Sequence, residues 1–104
     1  MPDTLSMPYR ANVRDSADAN EKKYTYRLAG NTCLAGDIMG DYSFDKPLEI
    51  GQKIIFEDQI HYTFVKNTTF NGIKLPSLAI LRQNDTLEII KEFSYENYKG
   101  RLSW

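Results

Sequence analysis

Apolar and polar positions alternate through EKKYTYRLAG, which sets Tyr24, Tyr26 and Leu28 on one side of an extended chain and Thr25 and Arg27 on the other. A period of two predicts a half-buried strand there. KIIFED (53–58) follows the turn-forming Gly51, and HYTFVKNTTF (61–70) is dense in β-branched and aromatic residues, so both read as strands. Asn71-Gly72 predicts a turn, LPSLAIL (75–81) a buried strand, residues 83–85 a second turn, and TLEIIKEF (86–93) another strand. Pro76 cannot donate to a ladder, which places it at the first residues of its strand or on an edge. Only SYENYKG, near the end, predicts a helical turn. Strands roughly ten residues apart with turns between them predict an all-β fold, a mainly antiparallel sandwich or barrel.

The beginning of the chain lacks this order. MPDTLSMPYRANVRDSADAN carries two prolines, many small polar residues and no sustained period. Residues 1–23 therefore read as an arm or interdomain segment, ahead of a β-domain over 24–104. The 104 residues suffice for one domain with a modest core and no disulfide or structural metal.

Charge and composition narrow the function classes. The 13 basic and 14 acidic residues are mixed along the chain, with a net charge of -1, and supply no single-sign field for nucleic acid. No apolar run approaches the roughly 20 residues of a membrane span, and the first residues lack the basic head and apolar block of a signal peptide. One cysteine cannot form an internal disulfide, which fits a reducing cytoplasm. The expected partners thus include neither nucleic acid nor membrane.

The chemical candidates each have an ordinary reading. Cys33, in GNTCLAGD, is by default a small buried hydrophobe, and reactivity would need an electropositive, accessible setting. His61 is the sole histidine and has no second His or Cys for a zinc site, so it reads as structural. Asp37, Asp41 and Asp45 recur at spacing four but lack the Asp-x-Asp spacing, central Gly and terminal Glu of an EF-hand loop; they read as turn aspartates, and no metal is expected. Tyr24, Tyr26, Tyr62, Phe64 and Phe70 could form a stacking platform on a small barrel, or fill the core. On these residues alone the chain is a β-domain of open role, and a small barrel that binds a ligand or partner without catalysis stays in play.

Two blocks add to this reading. GNTCLAGD resembles the cysteine motif near the C-terminus of the pyridoxal-phosphate (PLP) decarboxylases of alanine-racemase-like fold, which act on ornithine, arginine, diaminopimelate and carboxynorspermidine. About 28 residues later, HYTFVKNTTFNG resembles that family's Tyr-Thr segment with its following Phe-Asn-Gly. MPYR, GDYSFDKPL, the continuation IKLPSLA and the closing FSYENYKGRLS are similar to the members acting on carboxynorspermidine. In this family a barrel that carries the PLP-holding lysine and most of the phosphate-binding loop precedes a C-terminal β-domain, and the chain matches only the latter.

The resemblance implies a polyamine-forming carboxy-lyase whose site is shared across a head-to-tail homodimer, and a fragment inactive without its barrel. It implies that Cys33 is the acid that reprotonates the α carbon, a task suited to a thiol, and that Tyr62 approaches the cofactor at its phosphate side. Phe70 and Asn71 would line the shared pocket near the interface, and Asp37 would help hold the dimer loop. Gly30 and Gly36 would let that loop pass close to ligand or partner. Ornithine and diaminopimelate members carry an acidic residue after the cysteine, where this chain has Leu34. A leucine cannot pair with an ammonium and suits the methylenes of a longer substrate, carboxynorspermidine or carboxyspermidine.

Overall fold

A computed structural model describes residues 10–32 and 36–102. It divides into two units, Met1–Asn67 and Thr68–Trp104.

In the first unit, the strand predicted by alternation forms as β2 (Tyr24–Ala29) once β1 (Ala17–Asp18) has run its two residues. Half-buried and exposed residues alternate along β2, with Tyr24, Tyr26 and Leu28 turned inward. The centre of the sheet is β3 (Ile38–Phe44), in the antiparallel order β1-β3-β2. The aspartate series suggests turns in this stretch, but Asp41 stands within β3, directly opposite Arg27. Arg27 Nε and Nη2 donate to the two Asp41 carboxylate oxygens over 2.9 and 3.2 Å, an opposite-charge cross-strand pair of the kind that supports a register. That hydrogen bond, more than the charge alone, holds the Asp41 carboxyl below its ordinary pKa.

The stretch read as an arm is packed where it is described. Ala11 and Val13 are buried, and Val13 joins Tyr42 and Phe44 in the core, with Tyr26, Leu28, Leu48, Ile54 and Phe56 packed around them. Tyr42 is fully buried, and its hydroxyl donates to the Ala11 carbonyl over 2.6 Å. Ser43, also fully buried, donates to the Asp18 carbonyl and accepts from the Lys22 N–H. Apolar content in this stretch is too sparse to show a period. Its backbone nevertheless finds partners on β3 and on the segment around Phe56, which satisfies polar groups that burial would otherwise strand.

KIIFED is extended but forms no full strand. It makes one antiparallel bridge, Val13 to Phe56, flanked by Arg14 N–H to Ile55 C=O (3.0 Å) and Glu57 N–H to Asn12 C=O (2.8 Å). Asp58, with φ of 58°, turns the backbone away immediately afterwards.

HYTFVKNTTF is not a strand. Its first half is a short helix, α1 (His61–Val65). Strand propensity reports fit to a pleated surface, and local helical partners win here. The Lys66 ammonium lies 5.4 Å from the Tyr62 ring centroid, one turn on, and the Asn67 side-chain amide donates to the Thr63 carbonyl, one of the carbonyls a helix end leaves open.

The second unit begins with a single 3₁₀ turn (Phe70–Gly72), in which Asn71 and Gly72 have φ of 56° and 81°. This is the predicted Asn-Gly turn. An antiparallel hairpin comes next, β4 (Leu78–Leu81) with β5 (Leu87–Lys91), and Pro76 lies outside its ladder. Residues 82–86 form the second predicted turn, closed by Arg82 N–H to Thr86 C=O at 2.9 Å, with Asp85 at φ of 63°. The helix α2 (Tyr95–Leu102) extends the predicted helical turn, and Ser94 opens it through Oγ accepting from the Glu96 N–H.

The fold is thus mostly antiparallel strands with short helices. Among the described residues the two sheets are open, of three and two strands, and neither closes into a barrel. No helix there is long and apolar enough to cross a membrane.

Candidate functional site

The site begins where β2 ends and β3 has yet to start. Between Leu28 and Ala29 the register shifts, with Leu28 opposite Gly40 and Ala29 opposite Ile38, so Met39 is the extra residue of a bulge. Gly40 has φ of 142°, which glycine adopts without the steric cost of a Cβ. Bulges recur where a strand bends to redirect its side chains or end its pairing, and this one sits at the base of GNTCLAGD.

Three residues of that segment meet. The Gly30 N–H donates to the Asp37 carbonyl over 2.9 Å, continuing the ladder past the bulge. The Thr32 hydroxyl donates to Asp37 Oδ2 over 2.6 Å. Asp37 itself is buried, 7% exposed. Burial pushes its carboxyl up, but hydrogen bonds to the ionised form, that of Thr32 among them, outweigh it and hold the group below its ordinary value.

Gly30 has a more local reason than passage near a ligand. A Cβ at that position would overlap the Asp37 carboxylate, with Cγ only 2.7 Å away. Gly36 has φ of 81°, and the Ile38 N–H donates back to its carbonyl over 2.7 Å. Cys33 and Leu34 lie outside the described residues. Thr32 and Gly36, on either side of them, are described, and both belong to this junction.

The remaining predicted residues are distributed over both units. Tyr62 is half-buried on α1. Phe70 and Asn71 stand in the 3₁₀ turn of the second unit; Phe70 is 50% exposed and Asn71 occupies the left-handed region that asparagine tolerates. The structure therefore brings together Gly30, Thr32 and Asp37, and sets Tyr62, Phe70 and Asn71 on other elements.

The aromatic-platform reading loses Tyr26 to the core. Tyr26 packs edge-on against Phe44 at 6.2 Å, and its hydroxyl accepts from the Leu48 N–H. Sequence reasoning does not single out Thr32. A threonine five residues before an aspartate across a glycine-flanked loop is a signal only in retrospect.

A phenol such as Tyr62 can donate one hydrogen bond to a phosphate oxygen. That chemistry fits one contact to a phosphate group of the kind PLP carries.

Comparison with known proteins bears on this geometry. The model of the family "Pyridoxal-dependent decarboxylase, C-terminal sheet domain" matches residues 1–59. The chain belongs to this family. It is 53% identical to a carboxynorspermidine/carboxyspermidine decarboxylase of Campylobacter jejuni, over 97% of this chain and 29% of that protein. It is 50% identical to a carboxyaminopropylagmatine decarboxylase of Synechocystis, over 98% of this chain and 26% of that protein. A crystal structure of carboxynorspermidine decarboxylase from Campylobacter jejuni, complexed with norspermidine, aligns with a TM-score of 0.84 at 53% identity, covering 97% of this chain and 30% of that one. The chain thus spans less than a third of the length of these relatives.

Proposed function

We propose that this chain is the C-terminal β-domain of a PLP-dependent decarboxylase of carboxypolyamines, and that it completes a site whose barrel half lies in a partner subunit of a homodimer. The observation that carries the reading is the match of 97% of the chain, at 53% identity, to the carboxynorspermidine/carboxyspermidine enzyme of Campylobacter jejuni. The Synechocystis relative, named for an agmatine-type substrate, supports a substrate class defined by its carboxylated aminopropyl end, with the distal group free to vary.

PLP, when bound, draws off the electron pair left on the α carbon as the carbon–carbon bond breaks and CO2 departs. In this reading the Cys33 thiol then gives its proton to the α carbon and regains one from solvent. Tyr62 donates to the phosphate side of the cofactor. Phe70 and Asn71 line the pocket near the interface, and Asp37 holds the loop that carries the thiol.

The test is an enzyme in which this chain replaces the matching segment of the Campylobacter jejuni relative. That enzyme should release CO2 from carboxynorspermidine or carboxyspermidine, whereas the chain by itself should release none. A folded, PLP-binding hybrid that is inert on every carboxypolyamine would overturn the reading.

Leu34 offers a second measurement on the same hybrid. Its side chain would lie along substrate methylenes, so Leu34→Asp should shift the ratio of kcat/KM values toward shorter diamino acids, by roughly tenfold or more for one added ionic contact. An unchanged ratio would mean that Leu34 only packs.

A further inference from the structure

We infer that Tyr98 of α2 is a positioning residue for the Asn71-Gly72 turn, its ring laid against the backbone of Gly72. The use of that turn as a pocket wall rests on the function proposed above, while the contact rests on geometry alone.

A turn of this kind needs outside support. Phe70–Gly72 is a single 3₁₀ turn with no buried residue, closed by Gly72 N–H to the Thr69 carbonyl over 2.8 Å and Ile73 N–H to the Phe70 carbonyl over 3.4 Å. Asn71 and Gly72 are both left-handed, at φ of 56° and 81°, a conformation that costs asparagine more than glycine. So short and exposed a turn opens readily when nothing covers it. Tyr98 supplies the cover. A Cβ built on Gly72 would meet the Tyr98 ring at 3.8 and 3.9 Å, ordinary contact distance, which sets the ring directly over the turn. Among the described residues of α2, Tyr98 alone is half-buried and the others are exposed. Tyr95, three positions earlier on the same helix face, tilts against Tyr98 with ring centroids 6.3 Å apart and narrows the directions its ring can take.

The held turn also blocks a reaction. Asn71-Gly72 is the only Asn-Gly pair in the chain. In such a pair the glycine nitrogen, with no Cβ beside it, can attack the asparagine side-chain carbonyl carbon. The new C–N bond closes an imide, ammonia leaves with the attacking nitrogen's proton, and water then opens the ring to aspartate or isoaspartate. Here that nitrogen is engaged, since its N–H donates to Thr69, so the attack needs the turn to open first. Either product would put a carboxylate where the proposed pocket has a neutral amide.

Deamidation at Asn71 therefore reports the opening of the turn, read by mass on the proteolytic peptide that carries it. Tyr98→Phe keeps the ring, whereas Tyr98→Leu keeps apolar bulk without it. We expect the Leu variant to deamidate at least about fivefold faster than the wild type, and the Phe variant to stay within about twofold, under conditions where all three retain their far-UV spectrum. Equal rates for Leu, Phe and wild type would overturn the inference. Should Tyr98→Leu unfold, Gly100→Ala replaces it, because a Cβ there meets nothing within 4 Å and alanine firms the helix that carries Tyr98. Deamidation should then slow by about two- to fivefold, and a wild-type rate overturns the inference equally. In the hybrid enzyme, Tyr98→Leu should raise KM for carboxynorspermidine at least about threefold with kcat within about twofold, and Tyr98→Phe should keep the wild-type KM. Faster deamidation beside an unchanged KM would overturn the role of the turn as a pocket wall. A hybrid inert on every carboxypolyamine would overturn the function and leave the deamidation comparison intact, so the two failures are distinguishable.

Discussion

Tyr42→Ala is expected to destabilise the first unit by about 3–5 kcal/mol, the range for emptying a large aromatic site in a core. Tyr42 carries that cost because it does three things at once. Its ring is buried and meets Phe56 edge-on at 6.3 Å. The Arg10 guanidinium covers the same ring at 3.9 Å from its centroid. Its hydroxyl satisfies the Ala11 carbonyl. Since a domain's whole stability is roughly 5–15 kcal/mol, the variant should be largely or wholly unfolded at room temperature or sit close to its transition. Tyr42→Phe isolates the hydroxyl, whose loss leaves a buried carbonyl unpartnered at about 1–3 kcal/mol. Urea denaturation would read Tyr42→Phe as a lowered midpoint with an unchanged slope, and Tyr42→Ala as a transition moved to little or no urea. An unchanged midpoint for Tyr42→Ala would mean that the core does not close on this residue.

Much of the fold was legible because period and turn chemistry are local. The alternation around Tyr24, Tyr26 and Leu28 gave β2, and Asn71-Gly72 and residues 83–85 gave turns, since asparagine, aspartate and glycine accept positive φ. What could not be read was set by partners distant in sequence. β3 carries an aspartate and a glycine ahead of Tyr42, and only its pairing with Arg27 and its bulge opposite Leu28 make a central strand of that composition. Residues 10–18 look like a linker because their contribution is two small apolar side chains, backbone hydrogen bonds and single long-range contacts such as Arg10 on the Tyr42 ring and Arg14 on Glu57, none of which leaves a period. HYTFVKNTTF misled in the opposite direction. Its aromatic and β-branched density signals a strand, but one helical turn is closed by Asn67 on Thr63. At the candidate site, the cysteine motif was visible by resemblance, while the Thr32 bond to Asp37 depends on a side-chain geometry no motif encodes.

The largest functional effect is expected at Cys33. A general acid contributes about 10²–10⁴-fold to a proton-transfer step, and alanine has no proton to give. In the hybrid enzyme carrying this chain, Cys33→Ala should therefore lower turnover on carboxynorspermidine by that factor, with KM changed far less, because in the proposed role the thiol acts after the substrate is bound. The proton's destination is a sharper readout than rate. With the thiol gone, the electron pair on the former α carbon must wait for a proton from another source. Protonation should then lose its facial selectivity.

Turnover of carboxynorspermidine by the hybrid in deuterium oxide, with and without Cys33→Ala, reports whether the thiol delivers the proton. One deuterium on a single face of the product carbon is expected for the wild type, and for the variant a loss of at least about a hundredfold in rate together with mixed labelling. Wild-type rate and single-face labelling in the Cys33→Ala enzyme would contradict that role.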